Sequence, residues 1–132
     1  MIVVDANIIA YFFIEGDKTA RARELRGREP EWRVPSLWRH EYLNVLATFA
    51  REGGASVADV AVLWKSSMDV VGDMEHAVDM EAALELAVRT KISAYDAQYI
   101  TLAQQLRTVC VTEDKKLRAK FPRLARTMAE FL

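Results

Sequence analysis

A single cysteine, Cys110, in 132 residues excludes an intrachain disulfide framework and any zinc cluster built on thiolates. Set between Val109 and Val111, it reads as a buried, inert thiol. Histidine is almost as scarce, and its two copies read as a surface residue (His40) and a loop residue (His76), so no imidazole chemistry is expected. Long apolar runs are also missing. The longest, Ile8 to Ile14, spans seven residues, far short of the roughly 20 that cross a bilayer. With no basic leader before it and no small-residue cleavage site after it, the chain is expected to be cytoplasmic, with no membrane partner. Nor is there a surplus of one charge: 18 basic against 19 acidic side chains leave a net charge of -1. Proteins that grip nucleic acid by neutralising phosphates usually carry a basic surplus, so bulk charge argues against a general polyanion binder.

What is present suits one folded domain over residues 1–132. Apolar residues make up 52% and charged residues 28% of the chain, and a chain of this length buries roughly 65–70% of its unfolded surface, enough for a core without a metal or disulfide staple. Ile2-Val3-Val4 reads as a strand buried on both faces and stopping at Asp5. The apolar segment Ile8 to Ile14 predicts a helix against the sheet, followed by an arginine-rich helix opening at Gly16-Asp17 and ended by Pro30. A second strand is expected at Trp32 to Val34. Ser36 is a candidate N-cap for a helix to about Glu52, and Ser56 for another to about Val71. Ala77-Val78 is a marginal strand candidate, Asp79 caps a helix Met80 to Thr90, and Ser93 caps one to about Arg107. Val109 to Thr112 forms a strand, Lys115 to Lys120 a short helix, and the tail after Pro122 is too short to classify. Short strands alternating with helices define an α/β fold with a central parallel sheet flanked by helices.

Four carboxylates occupy suggestive places. Asp5 and Asp114 follow the C-terminal ends of two apolar strands, the edge where open α/β sheets bind ligands. Glu41 lies about 40° from Val45 on the helical wheel, beside the apolar stripe Trp38, Tyr42, Val45, Leu46 and Phe49, where an ionised group is costly unless paired. Asp96 shares a helix face with Tyr99, Ile100 and Ala103. Each has a plain alternative: Asp5 and Asp114 as helix caps, Glu41 paired to Arg39, and Asp96 in a capping box with Ser93. Their conjunction is more informative, because two carboxylates ~6 Å apart at an effective dielectric near 20 repel by roughly 3 kcal/mol. Hard oxygen donors without a cysteine or histidine pair then favour Mg²⁺ or Mn²⁺. Residues 111–126 carry a local charge of +4 beside Asp114. With Arg39 and the arginines at 21, 23, 26 and 28, they offer a local basic grip, Lys115, Lys116 and Arg118 foremost. Trp38 suits the core or a base stack; Trp64 suits the core, a dimer contact or a partner groove.

These pieces, in order, resemble the PIN-domain family, and within it the small VapC-type toxins: Val3-Val4-Asp5-Ala6-Asn7, Pro35-Ser36 through Glu41, Ser93-Ala94-Tyr95-Asp96 with Leu102-Ala103, and Val111-Thr112-Glu113-Asp114 with Leu117. The resemblance covers nearly the whole chain. It implies a PIN fold, Asp5, Glu41, Asp96 and Asp114 as catalytic metal-holding acids, and Asn7 and Thr112 in support. It further implies Mg²⁺ or Mn²⁺ as cofactor, an RNA substrate hydrolysed at its phosphodiester bonds, a homodimer and a cognate antitoxin. Asn7 stands where many relatives carry serine or threonine, and either Glu113 or Asp114 can face the metal. Two other readings remain. A non-catalytic PIN-like scaffold would have no use for four costly acids. A receiver-like phosphate acceptor would need paired acids after the first strand, where Ala6 follows Asp5, and a lysine after the last, where Thr112 stands.

Overall fold

The computed structural model describes residues 1–132. Strand β1 (Ile2–Val4) leads into α1 (Ala6–Phe13) and α2 (Thr19–Arg28), then β2 (Trp32–Arg33), α3 (Trp38–Gly53) and α4 (Val57–Val71). After a 3-10 turn at Gly72–Met74 come α5 (Met80–Thr90), α6 (Ala94–Gln105), β3 (Cys110–Val111), α7 (Lys115–Lys120), β4 (Ala125–Arg126) and α8 (Met128–Phe131). The four strands form one sheet in the order β2-β1-β3-β4, parallel throughout.

Side-chain alternation along β1 divides the core between the two faces of this sheet. Ile2 and Val4 pack with Ile8, Leu25, Trp32, Trp38, Tyr42 and Leu46. Val3, on the opposite face, packs with Leu86, Tyr99, Ile100, Leu102, Cys110 and Leu117. Because both faces are covered, the two central strands β1 and β3 read as unbroken apolar runs, while the edge strands β2 and β4 each carry an arginine. Cys110 is fully buried, as its valine neighbours suggest.

Local chemistry accounts for most of the helix boundaries. Ser56 and Asp59 form a reciprocal capping box at the start of α4, and Gly54 ends α3 in the left-handed region at φ +76°. At the end of α6, Arg107 holds φ +55° while Thr108 donates to the carbonyl of Ala103, stopping the helix two residues earlier than its periodicity suggests. Ser36 is not the cap of α3. Trp38, Arg39 and His40 instead donate to carbonyls three residues back, from Pro35, Ser36 and Leu37, so a tight first turn satisfies donors that a side chain would otherwise take.

The marginal strand at Ala77-Val78 does not form. The Gln105 side chain accepts from the Asp79 amide and donates to the Ala77 carbonyl, occupying that backbone, and the sheet contact falls two residues earlier, between Val34 and Glu75. In the tail, Cys110 donates to Leu124 and Thr112 to Arg126, so β4 owes its existence to β3.

The sheet order sets up the site. From β1 the chain moves to one side to make β2, and from β3 it moves to the other to make β4, so the segments after β1 and β3 diverge and leave a crevice.

Candidate active site

Asp5 ends β1 and caps α1, its Oδ1 accepting from the Ile8 amide at 3.0 Å. Its Oδ2 accepts from the hydroxyl of Thr112, the residue after β3. The same hydroxyl accepts from the Asp114 amide at 3.1 Å, and Asp114 caps α7 through a 3.0 Å bond from the Leu117 amide. The cap reading and the cleft reading therefore hold together for both residues. Each aspartate starts a helix, and that helix start fixes it at the sheet edge.

Glu41 comes to the cleft from α3 and Asp96 from the first turn of α6. Glu41 does not pair with Arg39. Its Oε1 accepts from the Tyr99 hydroxyl at 2.6 Å. Ser93 accepts from the Asp96 amide at 3.0 Å, but no carboxylate bond returns to Ser93, so only half of the capping box forms. The Asp96 carboxylate is left facing the cleft.

Asp5, Asn7, Glu41, Asp96, Thr112 and Asp114 line one cleft of about 280 Å³, with Asn44 and Tyr99 beside them and no lysine, arginine or histidine. Burial pushes the Asp5 carboxyl up to about 6 from its ordinary 3.8, with the Glu41 charge adding to the rise and the Thr112 and Ile8 hydrogen bonds opposing it. Glu41 is raised by burial and by Asp96, against the Tyr99 hydrogen bond. Asp96 is raised by burial and by Asp114. The electrostatic neighbours thus run Asp5, Glu41, Asp96, Asp114 around the cleft, and burial together with the next acid's charge raises the first three.

No three of these acids converge closely enough to make a ready-formed coordination cage. The donor chemistry nevertheless fits a hard divalent cation: four carboxylates, no soft ligand and no protein counter-charge. Glu41, Asp96 and Asp114 each keep a carboxylate oxygen free of any hydrogen bond.

Glu113 is turned away from the cleft, accepting from the Met128 amide at 3.0 Å at the start of α8, so Asp114 is the acid that faces inward. Arg39 lies outside it, bound to Glu75, which also accepts from the Trp38 indole at 2.8 Å. Lys115 and Arg118 flank a neighbouring groove, where Arg118 pairs with Glu130 at 3.4 Å; Lys116 is exposed beside them. The α2 arginines are largely engaged: Arg23 with Glu15, Arg28 with Glu24, and Arg26 over the Trp32 ring. Trp38 is fully buried, which removes the base-stacking alternative, and Trp64 stacks on it. His40 and His76 are both exposed and outside the cleft.

Asn44 and Tyr99 are the cleft residues that sequence reasoning passes over. Each lies three positions after an acid, Asn44 after Glu41 and Tyr99 after Asp96, and i,i+3 spacing on a helix is the signal that finds them.

The PIN-domain family model matches residues 2–124, and the chain belongs to that family. It is 25% identical over 126 residues to Ribonuclease VapC3 of Pyrobaculum aerophilum, covering 93% of this chain and 96% of that protein. Among solved structures, the fold resembles PAE2754 of Pyrobaculum aerophilum at a TM-score of 0.77 and 22% identity, covering 98% of this chain and 91% of that one. It also resembles a chain of a toxin-antitoxin complex from Klebsiella pneumoniae at a TM-score of 0.66 and 16% identity, covering 97% and 98%. No helix is long and apolar enough to cross a membrane.

Proposed function

We propose that this chain, one PIN domain throughout, is a divalent-metal-dependent endoribonuclease of the VapC type that hydrolyses RNA phosphodiester bonds and is neutralised by a cognate antitoxin. One observation carries the reading: four carboxylates from four separate elements line a single cleft without a cationic side chain among them. Such a cleft is costly to keep and repels a phosphodiester until a cation enters it.

Asp5, Glu41, Asp96 and Asp114 are assigned as the catalytic acids that hold Mg²⁺ or Mn²⁺. When bound, the ion supplies counter-charge for the developing phosphorane and acidifies water. The chain's own part is placement. Thr112 orients Asp5 and the backbone of Asp114, and the amides of Asn7 and Asn44 offer neutral donors to phosphate oxygens at the cleft mouth. A new bond forms between water oxygen and phosphorus as the bond to the leaving ribose oxygen breaks, and a proton passes to that oxygen.

Lys115 and Lys116, exposed on α7 immediately after Asp114, are assigned to hold flanking phosphates. Arg118 can join them only by leaving Glu130, and Arg39 only by leaving Glu75. The relatives' names support ribonuclease activity and an antitoxin partner. We assign a homodimer as well, and a cytoplasmic setting.

The test is incubation of antitoxin-free protein with an RNA pool in Mg²⁺, Mn²⁺ or EDTA. Cleavage should require the cation and fall by a factor of 100 or more, about 2.7 kcal/mol, in Asp5→Asn and Asp96→Asn. Cleavage that survives EDTA, or variants that stay fully active, would overturn the mechanism.

A further inference from the structure

We propose that Tyr99 is a positioning residue that fixes Glu41 against Asp96 before any cation arrives. The inference rests on the reading of the cleft as a divalent-cation site.

Glu41 hangs from α3 on a flexible side chain, next to like-charged Asp5 and Asp96, which would drive it towards solvent. Its one hydrogen bond comes from Tyr99, at 2.6 Å. No other hydrogen bond joins α3 to α6. Tyr99 itself has little freedom. The side chain is 2% exposed and packed with Val3, Ala103 and Cys110 on the far face of the sheet, so the ring sits in a fixed place and its hydroxyl points at one carboxylate oxygen.

Asp96 lies three residues earlier on the same helical face. Helix α6 therefore supplies one acid and sets the position of another. Binding Glu41 through Oε1 leaves Oε2 unpartnered for a ligand, and a neutral phenol does this without adding charge that would compete with the cation. Hydrogen-bond partners of metal ligands typically change metal affinity by 10–100-fold when removed.

The experiment measures Mn²⁺ binding calorimetrically for the wild type, Tyr99→Phe, Glu41→Gln and the double variant, with metal-free urea unfolding as a check on folding. Expected are cooperative unfolding of Tyr99→Phe, Mn²⁺ affinity about tenfold weaker, and no further loss when Tyr99→Phe is added to Glu41→Gln. RNA cleavage by Tyr99→Phe should need correspondingly more Mn²⁺ yet approach the wild-type rate at saturation. Should Tyr99→Phe fail to unfold cooperatively, Glu41→Asp, which keeps the charge but shortens the reach to Tyr99, must show the same tenfold loss.

Wild-type Mn²⁺ affinity in Tyr99→Phe or Glu41→Asp overturns the role of Tyr99 alone, as do losses that multiply independently in the double variant. Absence of Mn²⁺ binding in the wild type overturns the cation-site reading and this inference together.

Discussion

Thr112 donates its hydroxyl hydrogen to Asp5, 107 positions earlier in the chain, across the crevice between β1 and β3. Because the same oxygen accepts from the Asp114 amide at 3.1 Å, one hydroxyl ties together the acids that follow two adjacent parallel strands.

Replacing Thr112 by the near-isosteric valine removes both bonds and leaves the Asp114 amide without its partner. We expect a loss of about 1–3 kcal/mol in urea unfolding. The Asp5 carboxyl should titrate above its present value of about 6, since the Thr112 bond lowers it. Carboxyl NMR of Asp5 checks this, and an unchanged or lower titration would contradict the geometry. Thr112→Ser should restore both properties.

Asp5 also gives the metal-free protein a defined pH response. Its folded value, about 6, lies above the ordinary 3.8, so protonation favours the folded state. That contribution is complete below the unfolded value and is lost as pH rises through the folded one, amounting to about 3 kcal/mol by pH 7. In EDTA, Asp5→Asn should therefore gain stability relative to wild type as pH rises from 4 to 7. A difference that stays flat across this range would show that Asp5 is not charged at that cost.

Divalent cation should reverse the penalty at neutral pH. Mg²⁺ or Mn²⁺ at about 100 times its dissociation constant stabilises the folded state by about 2.7 kcal/mol, a rise of several degrees in Tm. Differential scanning calorimetry should show the rise in wild type and a much smaller one in Asp96→Asn. An equal rise in both would place the cation elsewhere.

On α5, Met80, Leu84 and Val88 recur every four residues and are 59%, 62% and 74% exposed, an apolar stripe with nothing packed on it. For the proposed homodimer seated on this stripe, Leu84→Glu is expected to yield a monomer in sedimentation velocity while leaving the melting curve of the dilute protein nearly unchanged. A dimer that persists would assign another face.

Trp38 sits one turn before Glu41 yet is buried against Tyr42 and Trp64. Trp38→Phe should cost about 1–3 kcal/mol of stability through lost packing and the lost indole bond to Glu75. The KM for RNA should not change. A raised KM with intact stability would restore the base-stacking role.

The PIN resemblance was legible because its pieces are local. An apolar run ending in an acid, a serine three residues before Asp96 and an acid beside a buried stripe can each be recognised without knowing what lies opposite. Segments that depend on distant partners were not legible in that way. The strand contact at Glu75 rather than Ala77 is decided by Gln105, and β4 by β3. Arg39 reads from its sequence neighbours as a free phosphate grip, but Glu75, 36 residues away, binds its guanidinium.

The near absence of cysteine and histidine and the balanced charge by themselves determined which donors the chain can offer, carboxylate oxygens rather than thiolates or imidazoles, because donor type and net charge are properties of composition. Which acid faces inward, Asp114 rather than Glu113, was a matter of tertiary structure: the start of α8 supplies Glu113 with a backbone partner and turns it away. Convergence was decided there too. Four carboxylates separated by up to 109 positions share a cleft only because a parallel sheet brings the ends of β1 and β3 side by side and packs α3 and α6 against that edge.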